Sequence, residues 1–538
     1  MAADRSAARA LAAAARRFLP RPRPPWRAVT GAGLAGLVAA SAQAPLSLWP
    51  LAVLGFAALV ALVLAAPDGR RAGWTGWGFG TGYFLLSLNW IVEPFLVDVW
   101  RHVWLAPFAL ILLAGGLALF WAAAAWGATR LAPRPGHPAR ALALVAAMAL
   151  AEALRGWIFT GFPWAAVGHG FIASPFLSLA AWLGTPGLTL LLLTAAAGLG
   201  LTLHRLGTRT GPLRAATTPA AGALLLLGGS ALLAPLAAPA LPDPGPGPGT
   251  KAPVIRLVQP NARQRDKWDP EMIPIHFNRL LDFSATPPRP DLVVWPETAV
   301  PWLLNEGRPL TARIAGAAQG APVVLGVQRA QGSRVFNSLA VIAPDGAVTA
   351  TYDKHHLVPF GEYMPAGDLL ARIGIGAFAA RQGNGYTAGP GPRLVDLPGI
   401  GAALPLICYE GVFPRNIHAA PDRPALLLMV TNDAWFGRLS GPYQHLAQAR
   451  LRAVEFGLPM VRVANTGISA MIDAGGTITG QLALNTAGFL DLPLPPAAPP
   501  TLYSRIGDSP ALALALLLLG GAALWRPRRI RPAAAQSR

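Results

Sequence analysis

The stretch LPLICYEG, from Leu404 to Gly411, contains the only cysteine among the 538 residues of the chain. Its apolar start predicts a buried strand, and a segment rich in Gly, Pro and polar residues follows it. Cys408 therefore stands where a strand ends and the chain turns, a position in which a nucleophile is held rigidly but faces an opening. The alternative is a buried cysteine that acts only as a small apolar residue.

Two other predicted strands end in charged residues. Glu297 follows the apolar run Asp291–Trp295, and Lys354 follows the run Val348–Tyr352. A carboxylate, an ammonium group and a thiol, each just past a strand end, can meet at one edge of a sheet. The sequence therefore predicts a catalytic site built from Glu297, Lys354 and Cys408.

The composition indicates a membrane protein. Hydrophobic residues make up 53% of the chain and charged residues only 13%, whereas soluble domains carry about 25% charged residues. The net charge of +19 comes mostly from arginines in short stretches between apolar segments, which favours a role in membrane topology over nucleic-acid binding. The sequence has no zinc-binding spacing, phosphate-binding loop or dinucleotide fingerprint, so we expect no cofactor and no metal.

Eight apolar segments approach the roughly 20 residues that a helix needs to cross a bilayer. Basic residues follow every second segment, as the positive-inside rule requires of a chain with a cytoplasmic N-terminus. We therefore expect basic cytoplasmic tails at 1–30 and 526–538, a membrane domain of seven spans at 31–241, and an eighth span at 508–525. The seven segments of the membrane domain are 31–47, 50–67, 74–97, 104–128, 139–159, 176–203 and 217–241.

A Pro- and Gly-rich linker at 242–250 precedes a predicted external domain at 251–500. Beyond the linker the pattern changes to short strand-like runs, and one stretch, Tyr443–Phe456, has apolar residues at helical spacing. This alternation indicates an α/β domain with its own core. The nine strand-like runs are Val254–Val258, Leu292–Trp295, Val323–Val327, Ser338–Ile342, Val348–Tyr352, Ala402–Ile407, Leu426–Thr431, Met460–Val463 and Ser469–Ile472.

Three motifs carry a resemblance to a known family. Trp-Pro-Glu at 295–297, Asp-Lys-His-His-Leu-Val-Pro-Phe-Gly-Glu at 353–362 and Ile-Cys-Tyr-Glu at 407–410 resemble the motifs of the nitrilase (carbon–nitrogen hydrolase) superfamily. With the eight-helix scaffold and the membrane segment Arg155–Trp164 (RGWIFTGFPW), the chain is similar to the family of bacterial apolipoprotein N-acyltransferases.

The resemblance implies a fold, a reaction and a location. The external domain is expected to be a nitrilase-like α-β-β-α sandwich. The reaction is expected to move an acyl chain from a membrane phospholipid to the N-terminal amine of a diacylglyceryl-cysteine apolipoprotein. We also expect a multi-pass monomer in the bacterial inner membrane, with the external domain in the periplasm and both termini in the cytoplasm.

The three candidate residues suit acyl transfer through a thioester, which divides one difficult step into two easier ones. Glu297 is expected to take the thiol proton and return it to the leaving alcohol, and Lys354 is expected to favour the thiolate. Lys354 and a backbone N–H near Tyr409 are expected to stabilise the oxyanion, and losing one such donor typically costs about 3–4 kcal/mol. An ordinary surface pairing of Lys354 with Glu297 is the alternative.

Four further residues are candidates for supporting roles. Glu362 and Glu410 are expected to orient Lys354 or to assist proton transfer; the alternative is that each caps a helix or pairs with an arginine. Asn337 and Trp435 are candidates for lining the pocket, with structural roles equally open.

Other charged or titratable residues have more than one interpretation. His355 and His356 lack partners at metal-binding spacing, so we interpret them as structural or solvated. In the membrane domain, Glu152 and Arg155 stand at positions i and i+3 and form either a functional pair or an ion pair that packs helices.

The segment 366–380 is strongly apolar but is interrupted by two glycines, each of which disfavours a helix by roughly 1 kcal/mol relative to alanine. We hypothesise that it is a lid whose apolar tip dips into the outer leaflet and guides an acyl chain to the thiol. The alternative is a helix of the domain core. The lid candidates are Leu369, Leu370, Ile373 and Phe378.

Two other functions stay open from the sequence. A membrane-anchored amidase or nitrilase-type hydrolase would use the same three residues with water as acceptor and would release ammonia or free acid. A transporter with an external binding domain is disfavoured, because the external domain carries a full set of nucleophile residues and the spans lack an evident charged relay.

Overall fold

The computed structural model describes residues 26–209, 212–242, 251–365 and 385–525. Several predicted features lie outside these residues, namely most of the basic tail at 1–30, nearly all of the linker at 242–250, and the tail at 526–538. The proposed lid at 366–380, with Leu369, Leu370, Ile373 and Phe378, lies outside them as well.

Each of the eight apolar segments overlaps one long helix in the described part of the chain. The third helix ends at Ser87, and a 3-10 helix, Asn89–Leu96, follows it, so the predicted segment 74–97 extends past the α-helix. The eight helices are Trp26–Ala40, Trp49–Ala65, Gly69–Ser87, Ala106–Leu131, Pro138–Arg155, Ala180–Thr208, Leu213–Ala237 and Ser509–Leu524.

Three helical stretches are long and apolar enough to cross a membrane. They are Val99–Leu131, Leu177–Thr208 and Leu213–Ala237. Trp49–Ala65 and Ser509–Leu524 are apolar but shorter. The N-terminal region is therefore helical and has three candidate spans among the described residues; the count of eight spans stays a prediction.

Glycines let the first and third helices approach each other closely. A Cβ atom on Gly82 would lie 2.0 Å from the backbone oxygen of Gly33, and one on Gly36 would lie 2.0 Å from the backbone oxygen of Phe79. Lipid supplies no hydrophobic driving force between helices, so close backbone contact of this kind is what stabilises their association. Gly69–Ser87 is accordingly packed against its neighbour backbone to backbone.

Twelve strands form two six-stranded sheets in the described residues from 251 onward. They are β1 Val254–Gln259, β2 Leu292–Val294, β3 Val323–Gln331, β4 Arg334–Ile342, β5 Val348–Asp353, β6 Val395–Leu397, β7 Gly401–Ile407, β8 Leu426–Thr431, β9 Met460–Ala464, β10 Ala470–Ile472, β11 Ile478–Gln481 and β12 Gly488–Pro493. The strand orders are β12-β1-β2-β3-β4-β5 and β11-β10-β9-β8-β7-β6. Strands β1, β2 and β3 are parallel, as are β7, β8 and β9, and the other neighbours are antiparallel. The nine predicted runs coincide with β1–β5 and β7–β10.

The two sheets pack face to face, and helices cover their outer faces. Alternate residues of β7 point to opposite sides: Ile407 joins the core between the sheets, and Leu406 packs with the helix Gly441–Phe456. The helices Met272–Ala285 and Arg308–Ala317 cover the outer face of the first sheet. These sheets and helices therefore form the four-layer α-β-β-α sandwich that the resemblance implies.

The sandwich contacts the N-terminal helical region through the helix Gly441–Phe456. Near its start, Gln444 Oε1 accepts a hydrogen bond of 2.7 Å from the Trp164 indole. Near its end, Glu455 Oε1 accepts from the backbone N–H of Thr185 at 3.0 Å and from its hydroxyl at 2.8 Å. Both ends of one helix are thus joined to segments that precede the linker.

Candidate active site

Glu297, Lys354 and Cys408 lie just after β2, β5 and β7. Strands β2 and β5 end at the same edge of the first sheet, because the two antiparallel steps from β3 to β4 and from β4 to β5 restore the direction of β3. Lys354 Nζ lies 3.4 Å from Glu297 Oε1, and both groups interact electrostatically with the Cys408 thiol. The three predicted catalytic residues are therefore close together.

Lys354 lies between two carboxylates. Its Nζ is 2.8 Å from Glu362 Oε2 and 3.4 Å from Glu297 Oε1, and its side chain is 1% exposed. Burial opposes the positive charge, but the carboxylates of Glu362 and Glu297 outweigh it and raise the pKa of Lys354 above its ordinary value. The ammonium group is therefore charged at neutral pH and can stabilise a developing oxyanion.

Glu297 is held by hydrogen bonds at both carboxylate oxygens. Its Oε1 accepts from Asn337 Nδ2 at 2.7 Å, and its Oε2 accepts from the backbone N–H of Asn432 at 2.8 Å. These contacts fix the orientation of a buried carboxylate beside the thiol, as a general base requires.

Cys408 has an uncommon backbone conformation, with φ of 52°. Such conformations persist only where the surrounding structure enforces them, and they concentrate at active sites. Burial, reinforced by Glu297, raises the pKa of the Cys408 thiol above its ordinary value, although Lys354 lowers it. Burial therefore disfavours a preformed thiolate at rest.

Asn337 and Glu362 complete the cluster around the ammonium group. Asn337 Nδ2 donates to Glu362 Oε1 at 2.9 Å as well as to Glu297, so one amide links both carboxylates. The backbone N–H of Val358 donates to Glu362 Oε2 at 2.8 Å. The pairing of Glu362 with Lys354 supports the orienting role over the pairing with an arginine.

Glu410 contacts the turn after Lys354 rather than the ammonium group. Its Oε1 accepts from the backbone N–H groups of His355 at 2.8 Å and His356 at 3.2 Å, and its Oε2 accepts from that of Ile407 at 2.8 Å. The carboxylate therefore joins the turn after Lys354 to the end of β7.

Tyr409 and Trp435 have different surroundings. The Tyr409 hydroxyl donates to the backbone oxygen of Gly161 at 3.1 Å, so the residue after the nucleophile contacts the membrane domain. Trp435 is half-buried. The next residue, Phe436, packs its ring against that of Trp164 with a centroid distance of 5.4 Å.

The ion pair between Glu152 and Arg155 shapes this membrane segment. Arg155 Nη2 lies 2.8 Å from Glu152 Oε2, and both side chains are buried. Arg155 also donates to the backbone oxygen of Trp164 at 2.8 Å, and Glu152 accepts from the backbone N–H of Val167 at 3.1 Å. Of the two interpretations left open by the sequence, these contacts support the structural one.

Three buried polar residues next to Cys408 are not predicted by the sequence: Asp433, His445 and Arg462. The Asp433 carboxylate lies 2.9 Å from His445 Nδ1 and 2.6 Å from Arg462 Nη2, and it accepts from the Thr431 hydroxyl at 2.8 Å. Burial opposes its charge, yet Arg462 and His445 lower the pKa of Asp433. The sequence did carry a signal for Asp433, because this charged residue follows the predicted strand β8 just as Glu297 and Lys354 follow theirs. In the structure β8 lies beside β7 and parallel to it, so both strands end at the same side of the sheet.

No group of three or more His, Cys, Asp or Glu side chains suited to a metal ion occurs among the described residues. Cys408, the softest potential ligand, interacts with the ammonium group of Lys354, and a positive charge disfavours a cation at that place.

Two family models match the chain. The model described as Apolipoprotein N-acyltransferase N-terminal domain matches residues 35–198, and the model described as Carbon-nitrogen hydrolase matches residues 274–497. A solved structure of an amidase mutant from Nesterenkonia sp. AN1 aligns at 18% identity with a TM-score of 0.35, covering 49% of this chain and 97% of that chain. That structural similarity is too low to support an argument.

Curated relatives match over nearly the whole length. An apolipoprotein N-acyltransferase of Bradyrhizobium diazoefficiens is 38% identical over 524 residues, which cover 92% of this chain and 94% of that protein. One of Rhodopseudomonas palustris is 36% identical over 519 residues, with the same coverage of 92% and 94%. The chain therefore belongs to the apolipoprotein N-acyltransferase family.

Proposed function

We propose that this protein transfers a fatty acyl chain from a membrane phospholipid to the α-amino group of the N-terminal diacylglyceryl-cysteine of apolipoproteins. The observation that carries the proposal is the buried cluster in which Lys354 lies between two carboxylates and beside the only cysteine. The names of the relatives support the acceptor, and the three candidate membrane spans support a lipid donor.

In the first half-reaction, Glu297 takes the proton of the Cys408 thiol while the sulfur attacks the ester carbonyl of the phospholipid. Lys354 and the backbone N–H of Tyr409 stabilise the tetrahedral oxyanion. Collapse of this intermediate breaks the ester C–O bond, and Glu297 returns its proton to the leaving oxygen. The products are a lysophospholipid and a thioester on Cys408.

In the second half-reaction, the unprotonated N-terminal amine of the apolipoprotein attacks the thioester carbonyl. Glu297 takes a proton from the attacking nitrogen, and the same two donors stabilise the second oxyanion. Collapse breaks the C–S bond, and the proton passes from Glu297 to the Cys408 sulfur. The amide product leaves and the free thiol is restored.

The proposal includes eight membrane spans, with the domain at 251–500 on the periplasmic side of the inner membrane and both termini in the cytoplasm. The arginines that follow every second apolar segment support this orientation. In a Cys408→Ala background, a cysteine at Gly247 should react with an impermeant maleimide added to intact spheroplasts. A cysteine at Gly207 should react only after lysis, and the reverse pattern would contradict the orientation.

The function is tested with vesicles that contain a phospholipid labelled in its acyl chain, together with a diacylglyceryl-cysteinyl peptide. The proposal predicts labelled peptide and one lysophospholipid per transfer, both abolished by Cys408→Ala. Free labelled fatty acid with unlabelled peptide would favour the membrane-anchored hydrolase instead, because water would then be the acceptor. Normal transfer by Cys408→Ala would contradict the thioester mechanism.

A further inference from the structure

A buried histidine contacts the backbone of the nucleophile from behind. His445 Nε2 lies 3.4 Å from the carbonyl oxygen of Cys408. Its Nδ1 lies 2.9 Å from Asp433 Oδ1 and 3.1 Å from Arg462 Nη2. Carbonyl and carboxylate oxygens can only accept, so the contact with Cys408 requires a proton on Nε2 and the contact with Asp433 requires one on Nδ1.

The surroundings of His445 leave its ring little freedom. His445, Asp433 and Arg462 have no solvent exposure. The imidazole also packs against the rings of Trp164 and Phe436, with centroid distances of 5.5 and 5.4 Å. The Nε2 atom is therefore held close to the Cys408 carbonyl oxygen.

The contact between His445 and the Cys408 carbonyl also determines the orientation of the Tyr409 N–H. A trans peptide is planar, and its N–H points away from its C=O. Holding the carbonyl of Cys408 toward His445 therefore fixes the direction of the Tyr409 N–H, which is the backbone donor for the oxyanion in the proposed reaction. Such support is needed because Cys408 has a φ of 52°, a conformation that the chain does not favour by itself.

We propose that His445, held by Asp433, is a positioning residue that keeps the Cys408–Tyr409 peptide oriented so that the Tyr409 N–H donates to the oxyanion. The inference rests on the proposed function, because the oxyanion forms only when Cys408 attacks an acyl carbonyl. The competing role is packing alone, in which His445 only fills the space beside Trp164 and Phe436.

Two substitutions separate these roles. His445→Gln places an amide nitrogen about where Nε2 lies and keeps a donor for the carbonyl, whereas His445→Phe keeps the ring packing without a donor. The rate of acyl-adduct formation on Cys408, followed by intact-mass spectrometry with phospholipid vesicles, should fall about 10- to 100-fold in His445→Phe and only about threefold in His445→Gln. The packing role predicts the opposite order.

A second reaction tests whether the slower acylation is caused by weaker stabilisation of the oxyanion. Methyl methanethiosulfonate converts the Cys408 thiol to a mixed disulfide with no acyl carbonyl and no oxyanion, so its rate should be equal in His445→Phe and wild type. His276→Gln is the control, since His276 is a buried histidine of the same domain that has no hydrogen-bond partner among the described residues. That variant should match wild type in both reactions.

Each contrary result removes the positioning role. The positioning role would be overturned if His445→Phe were acylated at the wild-type rate, or if His445→Gln were acylated more slowly than His445→Phe. It would also be overturned if His445→Phe lost acylation and modification by methyl methanethiosulfonate equally. If His445→Phe does not fold, His445→Asn replaces it, because the shorter amide reaches Asp433 but not the Cys408 carbonyl and should lose acylation alone. If wild type forms no adduct, the proposed function fails as well; a normal wild-type adduct with unaffected His445 variants removes only the positioning role.

Discussion

Replacing Glu410 with glutamine tests how the structure joins the turn after Lys354 to the nucleophile strand. Glu410 has no exposure, and its Oε1 accepts from the Tyr352 hydroxyl and the backbone N–H groups of His355 and His356. Its Oε2 accepts from the backbone N–H of Ile407. A glutamine can keep its oxygen at the Oε1 position, but its NH₂ group then faces the Ile407 N–H, and two donors meet.

The cost follows from that one contact. A hydrogen bond to a charged group contributes about 1.5–3 kcal/mol, and a buried donor left without an acceptor costs about 1–3 kcal/mol. The two figures describe the same broken contact with Ile407 and are not added. The loss of negative charge also weakens the hydrogen bonds that the other oxygen still accepts. We therefore expect Glu410→Gln to lower the free energy of unfolding by about 2–4 kcal/mol and to slow acyl-adduct formation.

Glu455→Gln is the matched control, because Glu455 is also a carboxylate without exposure. Burial raises the pKa of Glu455 to about 7, so the side chain is partly protonated at neutral pH. A neutral amide resembles the protonated acid, so the expected loss is smaller than for Glu410→Gln; only the ionised fraction loses the ion pair between Glu455 Oε2 and Arg452 Nη2, which lie 3.0 Å apart.

The two carboxylates also predict opposite dependences on pH. Although burial opposes its charge, hydrogen bonding to His355 and the charge of that residue lower the pKa of Glu410, so its contribution is present above about pH 4.3 and is lost as the pH falls. The contribution of Glu455 is present below about pH 4.3 and is lost as the pH rises through about 7. The deficit of Glu410→Gln should therefore grow from acid to neutral pH, and that of Glu455→Gln should shrink.

Thermal unfolding of the purified protein in detergent, measured between about pH 3 and pH 8, checks both statements, because the window extends below the unfolded pKa of a glutamate at about 4.3. The reasoning is refuted if Glu410→Gln melts no earlier than Glu455→Gln at neutral pH, or if the two variants respond to pH in the same direction.

Two further predictions concern the cluster and the helix packing. Glu362→Gln removes the nearer carboxylate from Lys354, frees the ammonium group to move onto the catalytic base, and should slow acyl-adduct formation by about 10²- to 10³-fold; an unchanged rate would contradict the orienting role. Gly82→Ala places a Cβ atom 2.0 Å from the backbone oxygen of Gly33 and should cost about 1–3 kcal/mol, measured as a lower Tm. Gly116→Ala has open space and should leave the Tm unchanged or raise it; equal effects of both substitutions would contradict the close packing.

The proximity of the three candidate catalytic residues could be predicted because their signals are local. Glu297, Lys354 and Cys408 each follow an apolar run, and a charged or nucleophilic residue just past a strand end is visible without knowledge of the fold. The apolar run of β7 likewise predicts a buried strand, which the structure confirms with Leu406 and Ile407 in different cores.

The missed elements depend on contacts between distant parts of the chain. Strand β12 pairs Leu490 with Leu257 of β1, and most of its residues are only half-buried, so no clear alternation marks it. The sequence predicts only that His445 lies in a helix with an apolar face. Its contact with the Cys408 carbonyl arises from the way that helix crosses the end of β7, 37 positions away in the chain.

The central claim is that Cys408 carries the acyl chain between two substrates. Intact-mass spectrometry of the purified protein after a single turnover with phospholipid vesicles tests it directly. We predict a mass increase of one acyl group on Cys408, which disappears when a diacylglyceryl-cysteinyl peptide is added and reappears on that peptide. A wild-type protein that acylates the peptide without passing through the adduct, or a Cys408→Ala variant with normal turnover, would contradict the account.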